Sequence, residues 1–390
     1  MIRVLFISRI SFLSGRTNVY NLAKTCEAVN TQAGFKTTLV TSDKDGDREL
    51  FFGKMAIQKP FDVVFLNVAR TTEWQTFVWV NLNFIWYLTA HRKEFDTLYF
   101  RDESLVPASW WTKVILRKYV FFEIHSVLQN KFRQTLNKIG TKVSDGMIAI
   151  SSGLKRYYEN LNKNIIISLC SAAENSWFDH SRSKLDFRKE LRLSQEAYIV
   201  GYTGVVGANP NNDYYEVDDI VKSLAFLAKN IVCIIVGELN DNADWLRNVA
   251  RDSGVLDRVI ILPWQERSII PKYLQAFDII LIPKRKKDLI GDSPAKMFPA
   301  LAARRPIIAG QAECIEEVLT DSVDAVVVEA NNPEGWSKAI LKIYENPELA
   351  KKLSNQSWLT KDKYTWEKRG IAIAEFINKT MRILNKKHKT

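Results

Sequence analysis

Residues 277–310 read FDIILIPKRKKDLIGDSPAKMFPALAARRPIIAG, and the fold is decided in this stretch. Asp278–Pro283 is a short apolar run stopped by proline, the pattern of a strand covered on both faces of a parallel sheet. A basic loop, Lys284–Lys287, follows. Asp292 and Ser293 stand where a helix cap is needed, Pro294 suits the first turn, and Met297, Phe298, Leu301 and Ala302 then recur at helical spacing. Pro306–Gly310 is the next strand. Strand, cationic loop and helix start form a unit whose backbone N–H groups favour an anion at the strand's carboxyl end. Many such units bind nothing, so the anion has to be supported from the rest of the chain.

Working outward, the same alternation fills the sequence. Arg3–Ser8 predicts a first strand, Ile10–Arg16 a loop holding Gly15, Thr17–Val29 a helix and Lys36–Ser42 a second strand. Further strands are expected at 61–67, 97–100, 119–124, 146–150 and 165–169. The polar segment Ser181–Ser194 interrupts the pattern, which restarts with strands at 198–204, 231–237, 258–262, 278–283, 306–309 and 324–328. Two doubly wound, Rossmann-like parallel-sheet domains follow, residues 1–184 and 190–361, with a cleft between them for a ligand. Trp366–Leu384 carries Ile373, Phe376, Ile377, Met381 and Leu384 on one face. It needs a partner surface, and residues 362–390 are expected to pack back on the N-terminal domain.

Bulk properties bound the function. With 390 residues, 46% of them hydrophobic and 25% charged, the chain is long enough for two cores and is not disordered. The net charge is +11, and Lys379, Arg382, Lys386, Lys387 and Lys389 supply five of it in the last twelve residues. This balance favours anionic partners such as nucleotide phosphates or an acidic membrane. A nucleic-acid partner would account for the charge but not for a two-domain cleft, and none is expected. Cys26, Cys170, Cys233 and Cys314 lack metal spacing and read as reduced thiols of a cytoplasmic protein. The N-terminus reads as a strand rather than a signal sequence. No window reaches the roughly twenty clean apolar residues of a membrane span, because Asn81 and Asn83 interrupt the best one.

Few residues offer chemistry. Of four histidines, His125 stands just past an apolar strand, on a ligand-facing edge, whereas His91 reads as a helix C-terminal charge. A lone histidine is more often structural. No G-x-S-x-G, H-E-x-x-H or Walker loop occurs. Gly201, Gly204 and Gly207 are spaced G-x-x-G-x-x-G and run into a turn, which argues against a dinucleotide fingerprint and for a loop that lets backbone approach a ligand. Trp74–Tyr87 is apolar nearly all round, so a helix buried in the core is expected there. The alternative is an interfacial surface for a lipid-linked acceptor, with Trp110, Trp111, Lys113, Arg117 and Lys118 as a second patch.

These motifs together resemble the retaining, family-four glycosyltransferases of GT-B fold. Phe95–Ser126 is similar to that family's strand, Arg, helix and E-x-H pattern through Arg101, Glu123 and His125. Ser151–Leu154 is similar to its S-x-x-L turn, and Val236–Glu238, Asp257–Val259, Ile270–Leu274, Ala276–Asp278 and Ser293–Lys296 to its C-terminal domain. Trp366-Glu367 is similar to its final W-E before the closing helix. The resemblance implies His125 as the catalytic-site residue and Gly15, Arg101 and Glu123 on the acceptor side. It implies Glu238, Ser293 and Lys296 around the donor, where the glycine loop adds Gly204 and Gly207 and where Arg285 and Asp292 are expected to stand in for missing family groups, with no metal and no cofactor beyond the nucleotide-sugar substrate. The pattern departs at the family's two donor-site Glu positions, occupied here by Gly291 and Pro299, and no cation lies in Asn209–Glu216.

The expected activity is transfer of a hexosyl group, with retention, from a nucleotide sugar to a glycan or lipid-linked acceptor in polysaccharide or cell-envelope glycan biosynthesis. The expected location is cytoplasmic, with peripheral contact to an anionic membrane. The rival is a non-catalytic GT-B protein that binds a glycan or a partner, favoured by the loss of both carboxylates. His125→Ala is expected to abolish transfer with little loss of stability.

Overall fold

The computed structural model describes the chain except residues 13–16, 44–45, 68–72, 129, 207–216, 238–241, 285–292 and 388–390. The first sheet has seven strands: β1 (Ile2–Ser8), β2 (Phe35–Thr41), β3 (Asp62–Phe65), β4 (Thr97–Phe100), β5 (Tyr119–Ile124), β6 (Gly146–Ala149) and β7 (Ile165–Ile167). The second has six: β8 (Tyr198–Thr203), β9 (Ile231–Val236), β10 (Val259–Leu262), β11 (Ile279–Ile282), β12 (Ile307–Gly310) and β13 (Val326–Val328). Every expected strand forms, because a strand covered on both faces must be apolar along its whole length. β4, with all four residues buried, is the plainest case.

Both sheets are parallel, in the orders β3-β2-β1-β4-β5-β6-β7 and β10-β9-β8-β11-β12-β13. The chain winds one way from β1 and the other way from β4, so β1 pairs with both β2 and β4; β8 likewise pairs with β9 and β11. Where the winding reverses, neighbouring strand-to-helix connections diverge and leave an opening at the carboxyl ends. Arg101 directly follows β4, and Gly204 directly follows β8, one at each reversal.

The chain divides into two units. Unit 1 is Met1–Ser171, Leu289–Ser293 and Trp366–Thr390; unit 2 is Ala172–Asp288 and Pro294–Thr365. Residues 172–184, assigned from the sequence to the N-terminal domain, group with unit 2, where the Gln275 amide donates to the Asp179 carbonyl at 3.0 Å and Lys184 pairs with Asp278. The closing helix, Trp366–Lys387, packs in unit 1 against the first helix, Thr17–Asn30. The approach is close: a Cβ on Gly370 would collide with the Ala28 carbonyl. Phe376 meets Phe121 edge-on at 5.7 Å, and Tyr20 meets Trp366 at 6.1 Å.

Two expectations are corrected. The helix expected from Pro294 starts at Met297 and ends at Ala302, with Lys296 at its N-cap position and no side-chain cap. Pro294–Met297 closes a turn instead, Met297 N–H donating to the Pro294 carbonyl at 3.0 Å. Ser293 is buried, and its carbonyl accepts from the Cys170 thiol at 3.6 Å. The second correction concerns Glu73–Ala90. Val80, Phe84, Tyr87 and Leu88 enter the core of unit 1, but Trp74, Trp79, Leu82 and Trp86 are exposed, so the helix is not buried all round. It lies on one face of a sheet and has only one side to bury. His91 follows it, with Nδ1 2.9 Å from the Glu94 carboxylate. Cys26, Cys170 and Cys233 are buried and Cys314 half-buried, and none of the four is in a disulfide.

Candidate active site

In unit 1 a polar cluster stands at the carboxyl ends of β4 and β5. Strand alternation turns Tyr99 and Glu123 to the same face, and the first residues beyond each strand, Arg101 and His125, project from the sheet edge. Glu123 is almost wholly buried, its side chain 1% exposed. One of its carboxylate oxygens accepts from Arg369 Nη2 at 2.7 Å and from the Tyr99 hydroxyl. The other lies 2.6 Å from His125 Nε2. Burial would raise this carboxyl's pKa, but Arg369 and Arg101, with the His125 hydrogen bond, hold it well below the usual carboxylate range.

An ionised Glu123 can only accept, so Nε2 of His125 carries the proton. On the other side, Arg101 Nη2 is 3.5 Å from Nδ1 and can only donate, which leaves Nδ1 as the lone-pair nitrogen. Burial and the nearby Arg101 lower the His125 pKa to about 4, against the opposing pull of Glu123. The ring is therefore neutral at pH 7 and is no proton donor there. Its acceptor nitrogen, Nδ1, stands at the sheet edge facing Arg101 at 3.5 Å, on a ring held by a carboxylate that is itself clamped.

Arg369 is the clamp. Its guanidinium, 4% exposed, donates to Thr25 Oγ1 at 3.0 Å, to the Ser168 carbonyl and hydroxyl at 2.8 and 2.9 Å, and to the Leu169 carbonyl, besides Glu123. Sequence reasoning passed it over although a signal was present: Arg369 lies four residues before Ile373 on the buried stripe of the closing helix. A charge on an apolar stripe requires a buried partner. Asn18 and Asn21 were also missed. Arg101 Nη1 donates to the Asn18 carbonyl at 2.7 Å, and the amide oxygens of Asn18 and Asn21, like the Ser293 hydroxyl, are buried with no hydrogen-bond partner among the described residues. Buried polar atoms of that kind are usually met by water or a ligand.

In unit 2 the comparable position holds Gly204 and Lys296. Gly204 has φ +147°, and a Cβ there would lie 2.5 Å from Lys296 Nζ. Only glycine meets both demands. The ammonium donates to the Tyr202 hydroxyl at 2.6 Å and lies 4.3 Å from that ring's centroid, while the Tyr202 hydroxyl donates to the Val205 carbonyl at 2.7 Å. Gly237, just past β9, brings its backbone onto the Gly204 carbonyl so closely that a Cβ would collide with it. Lys284, the first residue of the basic loop, is 3% exposed. Pro299 lies inside the helix Met297–Ala302. Gly15, Gly207, Glu238, Arg285, Gly291 and Asp292 lie outside the described residues. Of the expected donor group, Gly204 and Lys296 are brought together; Ser293 sits with Cys170 in unit 1. No group of three or more potential metal ligands occurs among the described residues.

Two parallel sheets that each reverse their winding define the fold as GT-B, and solved structures agree. The Anabaena protein HepE, crystallised with UDP and glucose, superposes with a TM-score of 0.77 at 13% identity, covering 97% of this chain and 100% of its own. WaaG, described as a glycosyltransferase involved in lipopolysaccharide biosynthesis, gives 0.67 at 12% identity over 96% of this chain and 99% of its own. At these identities the likeness establishes the fold. Residues 186–358 match the family model of the glycosyl transferases group 1. The D-inositol 3-phosphate glycosyltransferase of Salinispora arenicola is 21% identical over 201 residues, 49% of this chain and 43% of the relative. The chain thus spans less than half the length of that curated relative.

Proposed function

We propose that the chain is a glycosyltransferase that moves a hexosyl group, with retention, from a nucleoside-diphosphate sugar to a glycan or lipid-linked acceptor of a cell-envelope or secreted polysaccharide. The observation that carries this is the ammonium of Lys296 seated on Gly204 at the end of β8. A cation fixed beside bare backbone suits a diphosphate, whose negative charge grows as the sugar leaves. Neutral His125, with an acceptor nitrogen held in place, suits a sugar hydroxyl. The UDP bound to HepE and the group 1 match of residues 186–358 support a nucleotide sugar; the role of WaaG in lipopolysaccharide biosynthesis supports a lipid-linked glycan acceptor. No metal is required in this scheme, because Lys296 and backbone N–H groups supply the countercharge.

A second reading is favoured by Pro299 and Gly291, which replace two family carboxylates: a protein that binds a nucleotide or glycan without turnover. Calorimetry of the whole chain against nucleoside diphosphates and their sugars, with chelator present, separates the two. Saturable binding lost in Lys296→Ala, with sugar transfer to an acceptor, supports the transferase. Binding without any transfer or slow donor hydrolysis supports the second reading, and no nucleotide binding overturns both donor assignments.

A further inference from the structure

The outward side of the helix Glu73–Ala90 has the wrong chemistry for water. No Asp, Glu, Lys or Arg occurs between Glu73 and Arg92, and Trp79 and Trp86 are 54% and 69% exposed, with Leu82 between them on the same stripe. A solvated helix ordinarily carries charge there. The neighbouring helix, Val106–Val114, extends this surface with exposed Trp110 and Val114. It is fixed alongside by Trp111 Nε1 donating to Thr89 Oγ1 at 3.0 Å and by Ala108 N–H donating to Asn81 Oδ1 at 3.2 Å.

The charges gather at one end. Arg92 and Lys93 follow the first of these helices and Arg117 and Lys118 the second. Of the carboxylates near them, Asp96 pairs with Arg3 at 2.7 Å and Asp145 with Lys113 at 2.6 Å, while the exposed Glu94 lies 2.9 Å from His91 Nδ1, so cations outnumber free carboxylates there. Tyr119 reaches Asn385 at 2.5 Å and so brings the end of the closing helix, with Lys386 and Lys387, to the same edge. We propose that this face docks on the surface of a bilayer carrying anionic headgroups, Trp79, Trp86 and Trp110 entering the interface and the cations meeting the headgroups. Tryptophan favours the boundary between acyl chain and water, and an adjacent basic cluster adds attraction to anionic lipid. A second copy is the poorer occupant, since a two-fold contact centred on Trp86 and Trp110 would set these cations against themselves.

This inference rests on the lipid-linked acceptor proposed above, but its test needs neither donor nor turnover. The whole chain is sedimented with vesicles of phosphatidylcholine alone and of phosphatidylcholine with phosphatidylglycerol. It is expected to partition onto the anionic vesicles only, less so in high salt, and with a blue shift of tryptophan emission. Trp79→Ser combined with Trp86→Ser should weaken partitioning by at least about tenfold. Arg117→Glu combined with Lys118→Glu should abolish the preference for anionic lipid. Both pairs should keep the wild-type unfolding midpoint and UDP binding. Absence of binding to anionic vesicles, or wild-type partitioning by both pairs, overturns the proposal. A concentration-dependent dimer in light scattering, broken by the tryptophan pair, would assign the face to a second copy instead. UDP binding without vesicle binding sinks the docking surface alone, and the converse sinks the transferase alone.

Discussion

Replacing Arg369 with methionine keeps the length of the side chain and removes its charge. In the folded protein Glu123 then retains Tyr99 and His125 but loses the guanidinium paired with it, while the Ser168 and Leu169 carbonyls and Thr25 lose a donor. Breaking a buried ion pair from one side costs about 3–5 kcal/mol, because the remaining charge stays buried and uncompensated. Relaxation and water entry would offset part of the lost carbonyl contacts, so about 4 kcal/mol is expected for unit 1. Urea unfolding followed by hydrogen exchange of the β5 amides measures it. A second arm tests the cause: adding Glu123→Gln removes the stranded charge, so the double variant should be more stable than the sum of the singles by at least about 1 kcal/mol. A loss under 1 kcal/mol in Arg369→Met, or strict additivity in the double, would refute a charged clamp and leave only a packing role.

Four further outcomes follow from the same geometry. His125 has a folded pKa of about 4 against about 6.5 when unfolded. The unfolded state therefore binds more protons between these values, and stability should fall by about 3 kcal/mol as pH drops from 6.5 to 4, beyond the loss shown by His125→Asn in parallel urea titrations. Because the ring joins Glu123 to Arg101, His125→Ala is expected to remove transfer and also to cost about 1–3 kcal/mol, more than the small loss that its strand-end position implies; an unchanged melting midpoint would place the ring outside the network. Lys296→Ala should weaken diphosphate binding by about ten- to a hundredfold, and Gly204→Ala, which pushes the ammonium aside, should weaken it in the same direction; unchanged calorimetric affinity in both would move the phosphates elsewhere. Gly370→Val should destabilise unit 1 by about 1–3 kcal/mol through collision with Ala28, and protease resistance of the closing helix equal to wild type would show that the two helices can separate freely.

The sheets were legible because their signal is local: a strand covered on both faces, such as Leu98–Phe100 or Ile279–Ile282, has to be apolar at every position. The order of the strands was not written in any one of them. The tryptophan-rich helix shows the opposite limit, since a segment apolar on every side gives no sign of which side meets the core; Phe84 and Trp86 read alike until the sheet is in place. The late start of the helix at Met297 was hidden by Ser293 and Pro294, residues that suit a helix start but serve a turn here. At the site, Arg101, Glu123 and His125 could be placed because they sit at or just past strand ends. Asn18 and Asn21 could not, because polar residues in the first turns of a helix are ordinary and only the fold makes them buried.

The pair Glu123–Arg369 joins residues 246 positions apart, and all of unit 2 is made between them. At a synthesis rate of about 5–20 residues per second the carboxylate waits roughly 10–50 s on the ribosome for its counter-ion. During that time the seven-stranded sheet lacks its closing helix, and Glu123 either stays hydrated or takes up a proton. The second unit can fold while the first is still open. On this schedule a segment made after unit 2 completes unit 1, so the His125 edge is set only once residue 369 has been made.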